Sequence, residues 1–588
     1  MKKYTIFMLA TLMLLISALP IAALSIDEIG ANAAGIPANV TLAATLRADT
    51  GYFETLDGIF NQVLVENGLV PADSSIMAEM DRGANSTSEG ETFETLYRDW
   101  LGDTVTMFIV SGADVEGFAR YGEVNVSMYS IADRTAAAEY ITKSIDDDAY
   151  DEQDVDGNTL YTPTESTWRR TFLLTDDYLY ELDGIDVEKV DAALAFLLTE
   201  DTLADNENYQ ASVAGLPGDD YNILLYLNLP QIFTQIDTDE MNDELGFMGL
   251  DGLLDMNNAF GAVGAQVWGL TIADGQSLTM DIAQVINDTD ALHNITIGQF
   301  EKDVLDLDFA RYVPADAAVV VHDSGIGHAV TDVFDLLETL GEALDDRFEP
   351  DFDDGRIGRP GVPTSATLLV DDSVSFMKLA FKGLTGQTLE DGIGWMNGNY
   401  AVYGRVVDYD NELDGIGVDA GIIIENTDND ALEAFIAGQR NALRDLYLDY
   451  TETDNSLNIT WLSDIARRVF PESEDIANNV DILLGWNDEV LVGGARPGVE
   501  LVLDGATGLS EDETFQAAAA HILDNPQTIA YINFAQLESG VAYLENVAAG
   551  YPTEIGTLLA ELQSATISSS FDDESGVLLG RLVLTLNN

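Results

Sequence analysis

Two stretches of this chain are versions of one another, and that duplication limits the fold more than any other feature. NENYQASVAGLPGDDYNILLYLNLPQI, from Asn206 to Ile232, returns as DETFQAAAAHILDNPQTIAYINFAQL, from Asp512 to Leu537. Tyr209-Gln210-Ala211 matches Phe515-Gln516-Ala517, and Tyr226-Leu227-Asn228-Leu229 matches Tyr531-Ile532-Asn533-Phe534. Each copy reads as helix, turn, apolar strand and new helix. Other landmarks keep step: 33 residues separate Trp100 from Asp133, and 33 separate Trp395 from Asp428. Pro37 and Pro314 each open a strand followed by an amphipathic helix. The expected organisation is therefore a signal segment over 1–25, a first repeat over 26–300 and a second over 301–588.

Within each half the pattern alternates strands and single helices. TFLLTDDYLYEL reads as a hairpin turning at Asp176-Asp177, and EVLVGGARPGVELVLDGA reads similarly. QVWGLTIADGQSLTMDIAQV and ATISSSFDDESGVLLGRLVLTL read as closing hairpins. After Asp428, Leu432, Phe435, Ile436, Leu443 and Leu446 form one helical stripe, with Asp428 and Asp430 placed to cap free amides. Hairpin-joined strands with helices between pairs predict an α+β fold in two tandem homologous halves. Each half is expected to be a mostly antiparallel sheet, in one or two lobes, covered on one face by helices. At about 150 residues per domain, 588 residues exceed what one core can organise.

Lys2 and Lys3, an apolar run from Ile6 to Leu24 and the small-x-small triplet Ala23-Leu24-Ser25 read as a secretory signal. Ile6 to Leu24 nearly spans a bilayer, so an uncleaved N-terminal anchor stays open as the alternative. Both readings place the protein outside the cytoplasm, secreted or at the cell surface or periplasm. With no cysteine there are no disulfides, thiolate metal sites or cysteine nucleophiles. The net charge is −79 with only seven lysines, so phosphate backbones and anionic lipid are repelled and nucleic acid is excluded as a partner. Salt adaptation, divalent-cation binding and simple solubility are the three readings of that acidity.

The Pro-Ala-Asp at Pro314, the Trp-Leu-Gly-Asp at Trp100, the Asn-x-x-Tyr-Gln at Asn206 and the Tyr-Leu-Asn-Leu at Tyr226 together resemble an exported bacterial family known only as a domain of unknown function, number thirty-three fifty-two. The resemblance spans most of residues 32–588, and the second half departs from it through Asn397 before Gly398. It implies a secreted or envelope-attached protein, and it brings no catalytic residues.

Chemistry-bearing patterns are sparse. There are four histidines. His322 and His328 with Asp323 resemble a metal or triad fragment, but Thr45 and Gly51 stand at the positions of the two histidines in the first half. No His-Glu-x-x-His, Gly-x-Ser-x-Gly or Walker pattern is present. Two acidic loops are candidates for Ca²⁺, which takes six to eight oxygens: Asp146, Asp148, Asp154 and Asp156 in one, and Asp351, Asp353 and Asp354 in the other. Counted from Glu152, Pro163 stands where an EF-hand loop needs its bidentate Glu. Arg347, Arg356 and Arg359 lie in an insertion peculiar to the second half, a candidate recognition element. The expected role is an exported, acidic, non-catalytic scaffold or binding protein with an envelope partner. A calcium-binding surface protein, or a metal-dependent hydrolase using His322, Asp323 and His328, is the alternative.

Overall fold

The computed structural model describes residues 24–48, 52–53, 57–58, 61, 65, 70–71, 74–87, 90–111, 115, 117–119, 122–145, 149–165, 169–234, 236, 256–273, 277–296, 300, 302–334, 378–409, 415–460, 482–537 and 562–587. Strands β1 (Leu24–Ser25), β2 (Leu42–Arg47), β3 (Leu101–Ser111), β4 (Glu123–Ile131), β5 (Tyr150–Val155), β6 (Asn158–Pro163), β7 (Thr171–Leu174), β8 (Tyr178–Asp183), β9 (Asp220–Tyr221), β10 (Ile223–Leu227), β11 (Val263–Ala273) and β12 (Ser277–Ile286) come first. They are followed by β13 (Val319–Ser324), β14 (Asn399–Tyr409), β15 (Gly415–Glu425), β16 (Tyr450–Thr453), β17 (Ser456–Ile459), β18 (Ile482–Trp486), β19 (Val490–Ala495), β20 (Thr528–Asn533), β21 (Leu562–Asp572) and β22 (Val577–Leu586). The helices that matter below are α1 (Ile26–Gly30), α2 (Arg134–Ser144), α3 (Glu207–Gly215), α4 (Asn429–Asp445), α5 (Arg496–Leu503) and α6 (Glu513–Ala519).

The fold is α+β and dominated by a 20-stranded sheet in which neighbouring strands run antiparallel; β1 and β9 form a separate two-stranded ribbon. The pairings run β5-β6-β7-β8-β4-β3-β2-β10-β11-β12 and then β22-β21-β20-β13-β14-β15-β19-β18-β17-β16. The sequence of partners is thus the same outward from β12 as outward from β22. Where separate sheets were expected, β12 and β22 pair through nine residues, from Ser277 opposite Thr585 to Val285 opposite Val577. An open β12 edge would present unpaired amides, and the pairing removes that liability.

The repeated motifs build the same local devices. Asn206 caps α3 by accepting from the Tyr209 amide at 3.0 Å, and Gln210 Nε2 donates back to the Ala204 carbonyl at 2.7 Å. Asp512 caps α6 from the Phe515 amide at 2.8 Å, with Gln516 Nε2 donating to Ser510 at 2.9 Å. Tyr209 meets Tyr226 edge-on at 5.4 Å, and Phe515 meets Tyr531 likewise at 5.1 Å. These pairs pin each helix to its strand. Asp133 and Asp428 each accept two amides at the start of α2 and α4, so the expected cap at Asp428 forms.

Helices cover both faces of the sheet, not one. In β7, Phe172 and Leu174 pack in the cluster with Tyr140 and Ile141 of α2, while Leu173 between them joins the opposite cluster with Leu194 and Leu197. Side-chain alternation sends neighbours to opposite faces, and burial of both explains the unbroken apolar run TFLL. One expected hairpin is also replaced. After β19, the segment from Arg496 to Leu503 forms α5, because Pro497 in its first turn sets helical φ and Val499 and Val502 share its buried side. The hairpin partner of β19 is β18.

Candidate functional site

His322, Asp323 and Ser324 end β13, between β14 and β20, and all three are buried. Consecutive strand residues point to opposite faces, so His322 and Asp323 do not converge. The His322 ring stacks on Phe309 at 5.4 Å, and its Nε2 lies 3.2 Å from Asn399 Oδ1. Asn399 Nδ2 donates to Glu425 Oε2 at 2.7 Å, which fixes Oδ1 as the acceptor and makes His322 Nε2 the donor. Burial pushes the His322 pKa below its ordinary value, against the pull of Asn399, Asp323, Asp306 and Glu425. Asp323 accepts from Lys302 Nζ at 2.7 Å, from the Ser324 amide at 2.7 Å and from Thr528 Oγ1 at 3.3 Å. His328 is exposed in the helical turn beyond the strand. His322 and Asp323 are therefore each held by their own polar partners on opposite faces of the strand and do not form a shared ligand set. Among the described residues no group of three or more His, Asp or Glu side chains is placed to hold a metal ion.

Of the seven calcium candidates, Asp154 and Asp156 are described. Val155 pairs with Asn158, and Asp156 and Gly157 between them have φ of 55° and 86°. Positive φ at both central positions is what a two-residue hairpin of matching twist requires. Asp154 Oδ1 accepts from the Gly157 amide at 3.3 Å. This acidic pair shapes a turn beside β5, an edge strand whose exposed Asp151, Glu152 and Asp154 discourage pairing with other chains. Asp146, Asp148, Asp351, Asp353 and Asp354, and also Arg347, Arg356 and Arg359, lie outside the described residues.

A buried charge cluster outside the expected sites gathers around Arg405. Arg405 on β14 bonds Asp316 through Nε at 2.7 Å and Nη2 at 2.5 Å, and bonds Asp419 on β15 through Nη1 at 2.6 Å. Asp419 is fully buried, and burial raises its pKa while Arg405 lowers it. Arg405 and Asp316 also line a cavity of about 560 Å³ shared with Arg311, Tyr312, Glu489 and Glu511. Arg405 on β14 stands directly opposite Asp419 on β15, as Val110 on β3 stands opposite Val124 on β4. Opposed positions of one antiparallel pair thus carry charges, and those of another carry apolar side chains. The sequence held a signal for them: Arg405 continues the inward series Ala401, Tyr403.

A third cluster sits at the β12–β22 pairing. Arg581 grips Asp281 through Nε at 2.6 Å and Nη2 at 2.9 Å, and Tyr221 donates to Asp281 Oδ2 at 2.9 Å. A Cβ on Gly269 would lie 2.3 Å from the Tyr221 ring, and one on Gly218 2.6 Å from its hydroxyl oxygen, so both glycines are demanded by close packing.

Compared with protein-family models, with curated proteins and with solved structures, the chain finds no match.

Proposed function

We propose that this protein is an exported, highly acidic scaffold or binding protein that performs no catalysis and works outside the cytoplasm against an envelope partner. The observation that carries the reading is the pairing of its internal ionisable groups. His322 is a neutral donor to Asn399, Asp323 is held by Lys302, Arg405 lies between two aspartates, and Asp281 is held by Arg581. Each is spent on neighbours, and the hydroxyls that reach these carboxylates, Thr528 on Asp323 and Tyr221 on Asp281, meet groups already held by Lys302 and Arg581. The cavity beside Arg405 offers a polar recess for binding. The net charge of −79 argues against nucleic acid and anionic lipid as partners. No helix among the described residues is long and apolar enough to cross a membrane.

The chain is, on this reading, two tandem homologous copies meeting near residue 300. Matched registers support it: Leu42 opposite Ile109 parallels Val319 opposite Gly404, and Ile223 opposite Leu46 parallels Thr528 opposite Asp323. The resemblance to the exported family of unknown function rests on the same repeated motifs.

The test is fractionation of the producing cells combined with metal analysis of the purified protein. The reading requires recovery from the medium or envelope, without stoichiometric metal. Stoichiometric zinc or iron that disappears in a His322→Ala variant would replace it with the hydrolase reading. Bound calcium released by chelator would replace it with the calcium-binding one.

A further inference from the structure

A second recess lies between two helices and the sheet, far in sequence from the cavity beside Arg405. The helix Ile76–Thr87 carries Met80 and Ala84 one turn apart, and the helix Phe93–Tyr97 carries Phe93 and Tyr97 at the same spacing, so each helix turns a pair of apolar side chains to one side. The Phe93 amide donates to Asp81 Oδ1 at 2.8 Å and fixes one helix against the other. Val105 of β3 and Tyr129 of β4, opposite one another in the sheet, join them, as do Leu101 and Ala48. With Phe53 these side chains line a cavity of about 210 Å³.

Aromatic rings dominate the lining. Phe53 meets Phe93 edge-on at 5.3 Å, Phe93 stacks on Tyr97 at 5.0 Å, and Trp100 contacts Tyr97 at 5.8 Å and Tyr129 at 5.7 Å. The polar atoms of these rings already have protein partners. Tyr129 donates to Glu181 Oε2 at 3.1 Å, Tyr97 is hydrogen-bonded to Tyr140, and Trp100 Nε1 donates to the Leu96 carbonyl at 2.8 Å. Glu181 is in turn held by Arg170. None of the described residues lining the cavity is charged. Apolar space of this kind stays dry, and an engineered cavity of about 150 Å³ with such a lining takes up benzene. Ala48 and Ala84, 3% and 1% exposed, place small side chains in the wall where larger apolar ones would reduce the gap.

We propose that this cavity is a binding site for a small, uncharged aromatic molecule of one ring or two fused rings. Phe53, Phe93, Tyr97 and Tyr129 offer it ring faces and edges, the geometry in which aromatic pairs attract. A hydroxyl or a charge on the ligand would lose its hydration and find no partner in exchange. The site is separate from the polar recess beside Arg405 and goes beyond the scaffold or binding reading.

The test titrates the purified full chain with toluene, phenol and tetramethylammonium, followed by calorimetry and by thermal melts. Toluene should bind saturably and raise the melting temperature. Phenol, nearly the same shape with a hydroxyl, should bind more weakly, and tetramethylammonium should not bind. Ala84→Leu fills the space from the helix side and Ala48→Leu from the sheet side. Each should leave the ligand-free melting temperature at or above the parent value and lose toluene binding, and if one of them fails to fold the other decides. Absence of saturable toluene binding to the parent would reduce the cavity to a packing gap and overturn the proposal. Phenol binding as tightly as toluene, or tetramethylammonium binding in its place, overturns the ligand class. A folded variant that binds toluene like the parent overturns the site. All of these failures leave the export and scaffold reading standing.

Discussion

Asp281 and Arg581 face one another directly across the β12–β22 junction and form a two-pronged ion pair with N–O distances of 2.6 and 2.9 Å. The carboxylate side chain is 2% exposed, so its charge depends on that partner and on the Tyr221 hydroxyl. Removing one member of a buried pair strands the other charge and costs about 3–5 kcal/mol, whereas replacing both with apolar residues is often neutral. Arg581→Leu should therefore lower stability by about that amount, and Asp281→Leu with Arg581→Leu should recover most of it. Urea denaturation of the three proteins checks this. A double variant no better than the single would show that the pair contributes through its charges and not merely by avoiding a stranded one.

The Arg405 cluster makes a sharper comparison, because on the proposed duplication Val110 and Val124 of β3 and β4 stand at the corresponding opposed positions. Arg405→Val alone leaves Asp419 buried without its partner, and should destabilise by about 3–5 kcal/mol. Arg405→Val combined with Asp419→Val should return to within about 1–2 kcal/mol of the parent, since apolar replacement of a buried ion pair is tolerated. Denaturation midpoints decide the matter, and a double variant as unstable as the single would remove the argument that the fold can do without these charges.

His322 predicts a pH dependence. Burial holds its folded pKa below the ordinary value, so the unfolded chain takes up the proton first as pH falls. Its contribution is complete above about pH 6.5, the unfolded value, and declines as pH drops below it. Between pH 7.5 and 5 the parent should lose thermal stability, and His322→Gln should lose less. Equal slopes for the two proteins would assign the effect elsewhere.

Charge repulsion predicts a salt response. With a net charge of −79, surface carboxylates lie within the Debye length of about 10 Å at 0.1 M salt, so screening should favour the compact state. The melting temperature should climb steadily with NaCl and ignore EDTA. A jump at millimolar CaCl₂ that EDTA reverses would instead assign specific ion sites.

The sequence by itself determined the features that depend on near neighbours. The caps at Asn206, Asp428 and Asp512 follow from short polar residues ahead of helices, and the hairpins from acidic or glycine-containing turns. The repeated Tyr-Leu-Asn-Leu and Tyr-Ile-Asn-Phe strands follow from apolar runs of strand length. Only the tertiary structure decided which strands lie side by side. Asp281 meets Arg581 across 300 residues of chain, and no local periodicity encodes that register. The covering of both sheet faces was equally hidden, since a fully buried strand such as β7 shows an unbroken apolar run that does not reveal what lies on either side. His322 and Asp323 looked like a site because they adjoin in sequence, yet strand geometry sends them to opposite faces. Arg405, Asp316 and Asp419 looked unrelated, yet strand pairing brings them into hydrogen-bond contact.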